Sequence, residues 1–309
     1  MKRTGNCRDP KTKESAFSGY KLRIAAISDT HITPALHRRT ILIRGMKKLK
    51  KLSPDVVVFA GDCTDNGNTS NWNAFADIIK KYCGTKERVI ALGNHDTWIT
   101  YACPHDYLPA KENYLRYSNM LTGSANEEVY FREEKCGCTF LVMGSEGTSV
   151  AADISDDQLL WLENELKTCD ESKPVFVINH QPLNFTHGVG DNENGMGING
   201  GASEKLRDIL EKRKNAVYIC GHVHLGLGEN VKKRFCYSTV ENIGEATSIC
   251  LPCFEYGSFF MGGSPLLGTG MLIDVYDNRL VITGMDLMRG AKMKSFRRDI
   301  LLGDKSNGN

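Results

Sequence analysis

Aspartate, asparagine and histidine recur in this chain in short runs: Asp29-Thr-His31, Gly61-Asp62, Gly93-Asn94-His95-Asp96, an isolated His180, and Gly221-His222-Val223-His224. Carboxylate and amide oxygens combined with imidazole nitrogens are a donor set suited to Mn, Fe, Zn or related ions. The runs are far apart along the chain, so they can share one site only if the fold gathers them. Their context says how it could. Each follows a hydrophobic stretch that reads as a strand: Leu22–Ile27 before Asp29, Val56–Ala60 before Asp62, Arg88–Leu92 before Asn94, Val175–Asn179 before His180, Ala216–Cys220 before His222. Ligand sites of open α/β sheets lie at the carboxyl ends of the strands, where loops project side chains into one crevice. A metal site at that edge is the natural expectation.

The intervening segments supply the rest of an alternating β and α chain. Leu42, Met46 and Leu49 fall on one face of a basic helix that Pro54 stops, and a second helix is expected over about Asn71 to Tyr82. Residues 97–125 carry Pro104, Pro109 and several tyrosines, and read as an excursion over the sheet. Val129–Phe131 and Thr139–Met143 suggest a strand pair turning at Lys135–Gly137, and Asp156 or Asp157 could cap a helix over Gln158–Lys167. Strand signals return at Phe235–Thr239, Gly270–Tyr276 and Leu280–Met285, the last two joined by Asp277-Asn278. The sum is a mixed, two-sheet α/β core with helices on its outer faces. A single domain over 21–293 is expected, with a flexible segment at 1–20 and a loose polar tail at 294–309.

The order Asp-x-His, Gly-Asp-x-x-Asp, Gly-Asn-His-Asp, His, Gly-His-x-His resembles the calcineurin-like metallophosphoesterase superfamily, with every block present between Asp29 and His224. The resemblance implies a four-layer α-β-β-α sandwich and two divalent or trivalent ions, Mn, Fe or Zn. It implies that Asp29, His31, Asp62 and His224 hold one ion, and that Asp62, Asn94, His180 and His222 hold the other. Asp62 would bridge two metals ~3.5–4 Å apart, and a hydroxide shared between them would attack phosphorus in line. It further implies that His95 stabilises the transition state or protonates the leaving oxygen, oriented by the Asp65 carboxylate. Asp96 is expected to brace the ligands rather than bind metal.

Compact size and the Asp-Thr-His opening resemble the bacterial phosphodiesterase branch, which implies a small phosphodiester substrate: a cyclic nucleotide, a glycerophosphodiester or a nucleotide-type molecule. Asn66 stands after Asp65 where Ser/Thr protein phosphatases carry Arg, which counts against a phosphoprotein substrate. The pattern also lacks the tyrosine of purple acid phosphatases. Phosphomonoesterase and nucleotide-diphosphate hydrolase are the alternatives within enzymology. A non-catalytic interaction scaffold is the alternative from another class, and it predicts missing ligands, whereas here the set is complete.

The bulk numbers narrow the partners. Of 309 residues, 41% are hydrophobic and 25% charged, with a formal net charge of +2. That balance gives no electrostatic reason to expect a nucleic acid, and the Lys47–Lys51 run reads as a solvated helix face. No stretch approaches the ~18 apolar residues of a membrane helix, so no membrane partner is expected. Eleven cysteines without an apolar leader at the start point to a reduced, cytoplasmic chain. Cys136-Gly-Cys138 has the wrong spacing for a zinc ribbon. Since C-x₂-C pairs on both sides are the usual signature, Cys250-x-x-Cys253 beside it, both lying near strands, is not read as a separate zinc site. His37 is expected at the surface, and His105 and His187, in loops bordering the site, fit plain structural roles better than substrate contact. The Gly-rich run 187–201 could be a rim or lid, and the aromatic stretch Cys250–Leu267 is expected to pack on the core. Substrate choice is assigned to residues 97–125, 183–203 and 225–267, and oligomeric state is left open.

Overall fold

The computed structural model describes residues 19–99, 107–192, 195–227, 239–255 and 267–302, with the backbone alone at 294 and 295. Two six-stranded sheets form its centre. The first contains β1 (Leu22–Ile27), β2 (Val56–Ala60), β3 (Arg88–Ala91), β10 (Thr269–Val275), β11 (Arg279–Asp286) and β12 (Ala291–Leu301), in the order β12-β11-β10-β1-β2-β3. β1, β2 and β3 run parallel, and β10 returns antiparallel to β1. The second contains β4 (Phe131–Lys135), β5 (Cys138–Val142), β6 (Val175–Ile178), β7 (Ala216–Cys220), β8 (Val240–Ile243) and β9 (Ala246–Cys250), in the order β4-β5-β6-β7-β9-β8. β5, β6, β7 and β9 are parallel, with antiparallel strands at both edges.

The layering follows from which side chains are apolar on both faces. β2, β6 and β7 are buried throughout, as parallel strands covered on each side must be. Phe140, Phe176, Ile178, Val217 and Ile219 of the second sheet join the first sheet's side chains in one cluster. Their neighbours Leu141, Val177 and Tyr218 instead meet Leu162 and Leu166 of α4 (Asp156–Thr168) and Leu206 and Leu210 of α5 (Ala202–Leu210). Leu42 and Met46 of α1 (Leu36–Lys51), Trp72 and Phe75 of α2 (Thr69–Tyr82), and Tyr114 and Leu121 of α3 (Tyr107–Thr122) cover the first sheet. The result is the expected sandwich of two mixed sheets between helices. Tyr114 shows how a polar tip is accommodated, its hydroxyl donating to the Ile90 carbonyl at 2.8 Å.

Several local expectations are corrected. Residues 97–125 are not a plain excursion, since 107–122 form α3. Pro109 falls in the first helical turn, where its missing N–H breaks no bond, and Ala110, Tyr114, Tyr117 and Leu121 repeat at helical spacing on the buried face. The first strand of the hairpin is Phe131–Lys135, not Val129–Phe131, and it turns at Cys136-Gly137, both left-handed with φ of 52° and 79°. Ser155, not Asp156 or Asp157, caps α4 by accepting from the Gln158 amide at 3.2 Å. Helix α5 and the β8–β9 hairpin were not anticipated.

The tail expected to be loose from 294 instead continues β12 to Leu301, paired antiparallel with β11. Its Lys292, Arg297 and Arg298 gave it a polar look, yet such charges suit an edge strand that must not recruit another chain. Cys63, Cys83, Cys138, Cys169, Cys220, Cys250 and Cys253 are free thiols, whereas the half-buried Cys136 is disulfide-bonded, so the expectation of a fully reduced chain fails there. Among the described residues no helix is long and apolar enough to cross a membrane. Residues 1–18, His105, all but Thr239 of the strand expected over Phe235–Thr239, residues 256–266 and the last tail residues 303–309 lie outside the described residues.

Candidate metal centre

The carboxyl ends of β1, β2, β3, β6 and β7 lead straight into Asp29, Asp62, Asn94, His180 and His222. Main-chain bonds knit the loops beyond the strands. His31 N donates to Asp62 O at 3.0 Å, Ile32 N to Cys63 O at 3.1 Å and Asp65 N to Ile32 O at 3.1 Å, so the 29–32 and 62–65 loops run side by side. Gly221 N donates to His180 O at 2.8 Å and ties the two imidazole-bearing loops together.

Side-chain donor atoms converge in two groups that share Asp62. Asp29, His31, Asp62 and His224 form one and Asp62, His180 and His222 the other, the donor atoms of each group lying within 4.8 Å of one another. Among the described residues, every such cluster of three or more belongs to this site. His224 Nε2 stands 3.1 Å from Asp29 Oδ1 and 3.1 Å from His31 Nε2. His180 Nε2 stands 3.1 Å from Asp62 Oδ2. His180 Nδ1 faces the Ala60 carbonyl at 2.7 Å, and a carbonyl only accepts, so Nδ1 carries the hydrogen and Nε2 of the neutral ring presents a lone pair.

That arrangement sets lone pair against lone pair. The His180–Asp62 approach lacks hydrogen-bond geometry despite its distance, and His180 Nε2, His222 Nε2, Asp29 Oδ1 and Asn94 Oδ1 are all buried without a hydrogen-bond partner. Each such orphan costs about 1–3 kcal/mol, more where charge is involved. Those of Asp29, His180 and His222 lie within the two clusters, where a metal ion would satisfy them, and the donor set fits Mn, Fe or Zn. Protons fill the role otherwise. Burial alone would lower His180, but Asp62 and Asp29 outweigh it and push it up to about 9. Asp29 likewise overcomes burial at His224, pushed up to about 12. Burial prevails at His222, driven down to about 3, and at His31, down to about 4. Burial also pushes Asp29 and Asp62 upward, but His224 and His180 respectively hold them below the usual carboxylate range. A metal ion binding here would displace protons from the histidines.

The backbone is strained to aim these groups. Asp29, His31, Asp62, His222 and His224 have φ of 58°, 41°, 47°, 68° and 50°. Side chains rarely tolerate this left-handed region, at a cost of about 1–3 kcal/mol each, and it concentrates at working sites. Gly93 has a different reason to be glycine: a Cβ there would collide with the amide nitrogen and Oδ1 of Asp62. Gly93→Ala is therefore expected to displace Asp62 and weaken metal binding by ~10–100-fold, the range seen when ligand-orienting neighbours are changed. Metal titration followed by calorimetry checks this, and an unchanged affinity would refute it.

His95 sits beside the groups that converge. Its amide donates to Asp62 Oδ1 at 2.9 Å, and its ring packs 4.5 Å from those of His31 and Trp98. Asp65 meets it differently from the expectation. The main-chain carbonyl of Asp65 accepts from His95 Nδ1 at 2.9 Å, while the Asp65 carboxylate takes a 2.6 Å bond from Arg38. A full guanidinium charge is the stronger claimant on that carboxylate. Asp96 is fully buried behind the ligands and accepts from Gly93 N, Cys63 N, Thr64 N and Thr64 Oγ1 at 2.6–3.1 Å. Burial and the nearby Asp62 push its pKa up to about 6.

Sequence reasoning missed Arg38, Trp98 and Glu255 at this site. Trp98 is anchored by its indole N–H to Thr148 O at 2.7 Å, and its place four residues after Asn94 was the available signal. Elsewhere, His187 is buried and its Nε2 lies 2.7 Å from Ser248 Oγ, which pins the Gly-rich loop to β9, and His37 is exposed on α1. Lys47, Lys50, Lys51 and Lys81 line a cavity of about 550 Å³ with Tyr82. Lys50, Lys51 and Lys81 stand in the last turns of α1 and α2, where cations answer the helix dipoles, so the solvated reading suffices.

Comparison with known proteins follows this geometry. The model of the calcineurin-like phosphoesterase family matches residues 22–226. A probable glycerophosphodiester phosphodiesterase GpdQ of Arcobacter nitrofigilis is 26% identical over 218 residues, covering 65% of this chain and 71% of that one. The 3′,5′-cyclic adenosine monophosphate phosphodiesterase CpdA of Escherichia coli is 24% identical over 215 residues, covering 66% and 70%. In three dimensions, a dimetal phosphatase from Danio rerio superposes with a TM-score of 0.62 at 14% identity, covering 92% of this chain and 100% of that one. That last likeness is one of fold.

Proposed function

The chain belongs to the calcineurin-like phosphoesterase family, and on that premise we propose that it is a phosphodiesterase of small molecules, acting on a cyclic nucleotide, a glycerophosphodiester or a nucleotide-type ester. The observation that carries the hydrolase reading is the gathering of the orphaned buried donor atoms of Asp29, His180 and His222 into two clusters that share Asp62 beside His95. The diester preference draws its support from the relatives named phosphodiesterases.

In this reading Asp29, His31, Asp62 and His224 would hold one metal ion and Asp62, Asn94, His180 and His222 the other, with Mn, Fe or Zn all compatible with the donors. When bound, the pair supplies an acidified water and withdraws charge from the phosphoryl oxygens. The chain's own residues do the rest. His180, fixed by its bond to the Ala60 carbonyl, directs Nε2 inward. Asp96 gathers the amides of residues 63, 64 and 93 and so holds Asp62 in place. His95 keeps its Nδ1 hydrogen on the Asp65 carbonyl, so a second proton taken up at Nε2 is the one it gives to the departing oxygen. The free thiols among the described cysteines favour a reducing compartment, the cytoplasm, with Cys136 as the exception.

An activity panel on Mn²⁺-reconstituted protein tests the assignment: bis-p-nitrophenyl phosphate, p-nitrophenyl phosphate, and 2′,3′- and 3′,5′-cyclic nucleotides. Faster turnover of the diesters is expected, and chelation should abolish it. Activity on the monoester alone would replace the diesterase reading with a phosphomonoesterase one. Silence with every ester under Mn²⁺, Zn²⁺ and Fe²⁺ would favour a scaffold.

A further inference from the structure

We infer that Arg38 is a positioning residue for His95, acting through Asp65. The inference rests on the phosphoester-hydrolase reading given above. Arg38 lies in the first turn of α1, outside every ligand run, yet its side chain is only 21% exposed. Nη1 donates to His31 O at 2.7 Å and to Asp65 Oδ1 at 2.6 Å, and Nε lies 2.7 Å from Glu255 Oε1 in an ion pair. Glu255 is in turn tied to the centre, its amide donating to Asp29 O at 3.1 Å. One guanidinium thus joins the 29–32 loop, the 62–65 loop and the segment after Cys253.

The consequence for His95 follows from who competes for Asp65. Donor atoms of His31, Asp65 and His95 lie within 4.8 Å of one another, an arrangement able to hold a further cation beside the main centre. Arg38 places a permanent cation on that carboxylate. Without it, the Asp65 carboxylate would be drawn to the neighbouring imidazoles, with His31 Nδ1 already 3.9 Å away. His95 Nδ1 would then exchange a fixed carbonyl partner for a mobile carboxylate, and Nε2 would lose its aim. A lysine carries the charge but lacks the fork that meets Asp65, His31 and Glu255 together.

The test compares Arg38→Ala, Arg38→Lys and Glu255→Gln with wild type in the Zn²⁺-loaded protein, reading kinetics on 2′,3′- and 3′,5′-cyclic nucleotides, metal content and the ¹⁵N shifts of the His95 imidazole. Arg38→Ala is expected to lower kcat by ~10–100-fold, the cost of a misplacement near 1 Å. KM should stay within about threefold and both metal ions should remain, since neither interaction with them is removed. The His95 signals should pass from a single Nδ1–H tautomer to a mixture. Low millimolar guanidinium should restore part of kcat, Arg38→Lys should fall between, and Glu255→Gln should show a smaller loss in the same direction. Unchanged kcat and unchanged ¹⁵N shifts would overturn the inference, as would loss of metal in proportion to activity. If Arg38→Ala does not fold, the other two variants decide by the same readouts. If the wild type hydrolyses no ester, the proposed function fails, while the His95 tautomer still decides whether Arg38 positions it.

Discussion

Asp62→Asn is expected to leave the protein folded, to abolish paired metal occupancy and to lower turnover by at least ~10³-fold. Asp62 is the one residue common to both donor clusters. Its Oδ2 lies 3.1 Å from His180 Nε2 and 3.7 Å from His31 Nε2, so a single carboxylate faces both halves of the site. Asparagine keeps the size but not the charge, and only one of its terminal atoms can accept. Two cations within ~4 Å of each other repel strongly unless a shared anion lies between them. Metal assistance supplies several kcal/mol of transition-state stabilisation, and each 1.36 kcal/mol is a factor of ten in rate. Elemental analysis of dialysed protein, together with kcat, checks the result. Two ions per chain with near-normal turnover would remove Asp62 from the bridging role.

The same substitution has a second signature in metal-free protein. His180 is held up to about 9 largely by Asp62, against an ordinary value of 6.5. A histidine raised on folding stabilises the folded state fully below its unfolded pKa, and that contribution fades as pH climbs through the folded one. Metal-free wild type should therefore lose this contribution between about 6.5 and about 9. Asp62→Asn should flatten the decline over that window in denaturant titrations.

His95→Ala should separate chemistry from metal binding. The bond that connects residue 95 to Asp62 is made by the main-chain amide at 2.9 Å, so it survives any side chain except proline. Both ions should remain and thermal stability should move little, because the ring is only half-buried between His31 and Trp98. What disappears is a positioned proton donor, worth typically ~10²–10⁴-fold. The loss should depend on the leaving group. An alkoxide such as a ribose oxygen needs its proton early, whereas p-nitrophenolate departs readily without one. A large defect on cyclic nucleotides beside a small one on bis-p-nitrophenyl phosphate is the expected pattern. An equal defect on both would assign His95 to charge stabilisation, and no defect on either would remove His95 from the proton-donor role.

How far the sequence carried the argument depended on what each residue had to signal. The strand ends were legible because strands buried on both faces are largely apolar, and an Asp, Asn or His two or three residues beyond the end of each announces the crevice. Asp29, Asp62, Asn94, His180 and His222 all became visible in that way. Asp65 was legible as a residue but not as an atom, because only geometry shows that its carbonyl faces His95 while its carboxylate faces Arg38. Arg38 itself was hidden in the basic run Arg38-Arg39, where nothing local distinguishes the two. The turn of α1 against the 62–65 loop makes that choice. Helix α3 was obscured by reading Pro109 as a breaker, though the repeat of Ala110, Tyr114, Tyr117 and Leu121 was there to be counted.

The left-handed backbone at Asp29, His31, Asp62, His222 and His224 means that the residues most needed are the ones the fold would most readily give up. Glycine at any of them would relieve ~1–3 kcal/mol of strain in return for about 0.5–1 kcal/mol of added chain freedom when unfolded. Drift toward a sturdier, inert protein therefore runs downhill from this sequence at five separate positions. Such a lineage would keep its sandwich, its apolar strands and most of its outward likeness to its relatives. What would oppose that descent is a bound metal, together with the amide bonds that Asp29 and Asp62 accept from His222 and His95. The affinity of the site for ions would then also measure how firmly the chain is held to its work.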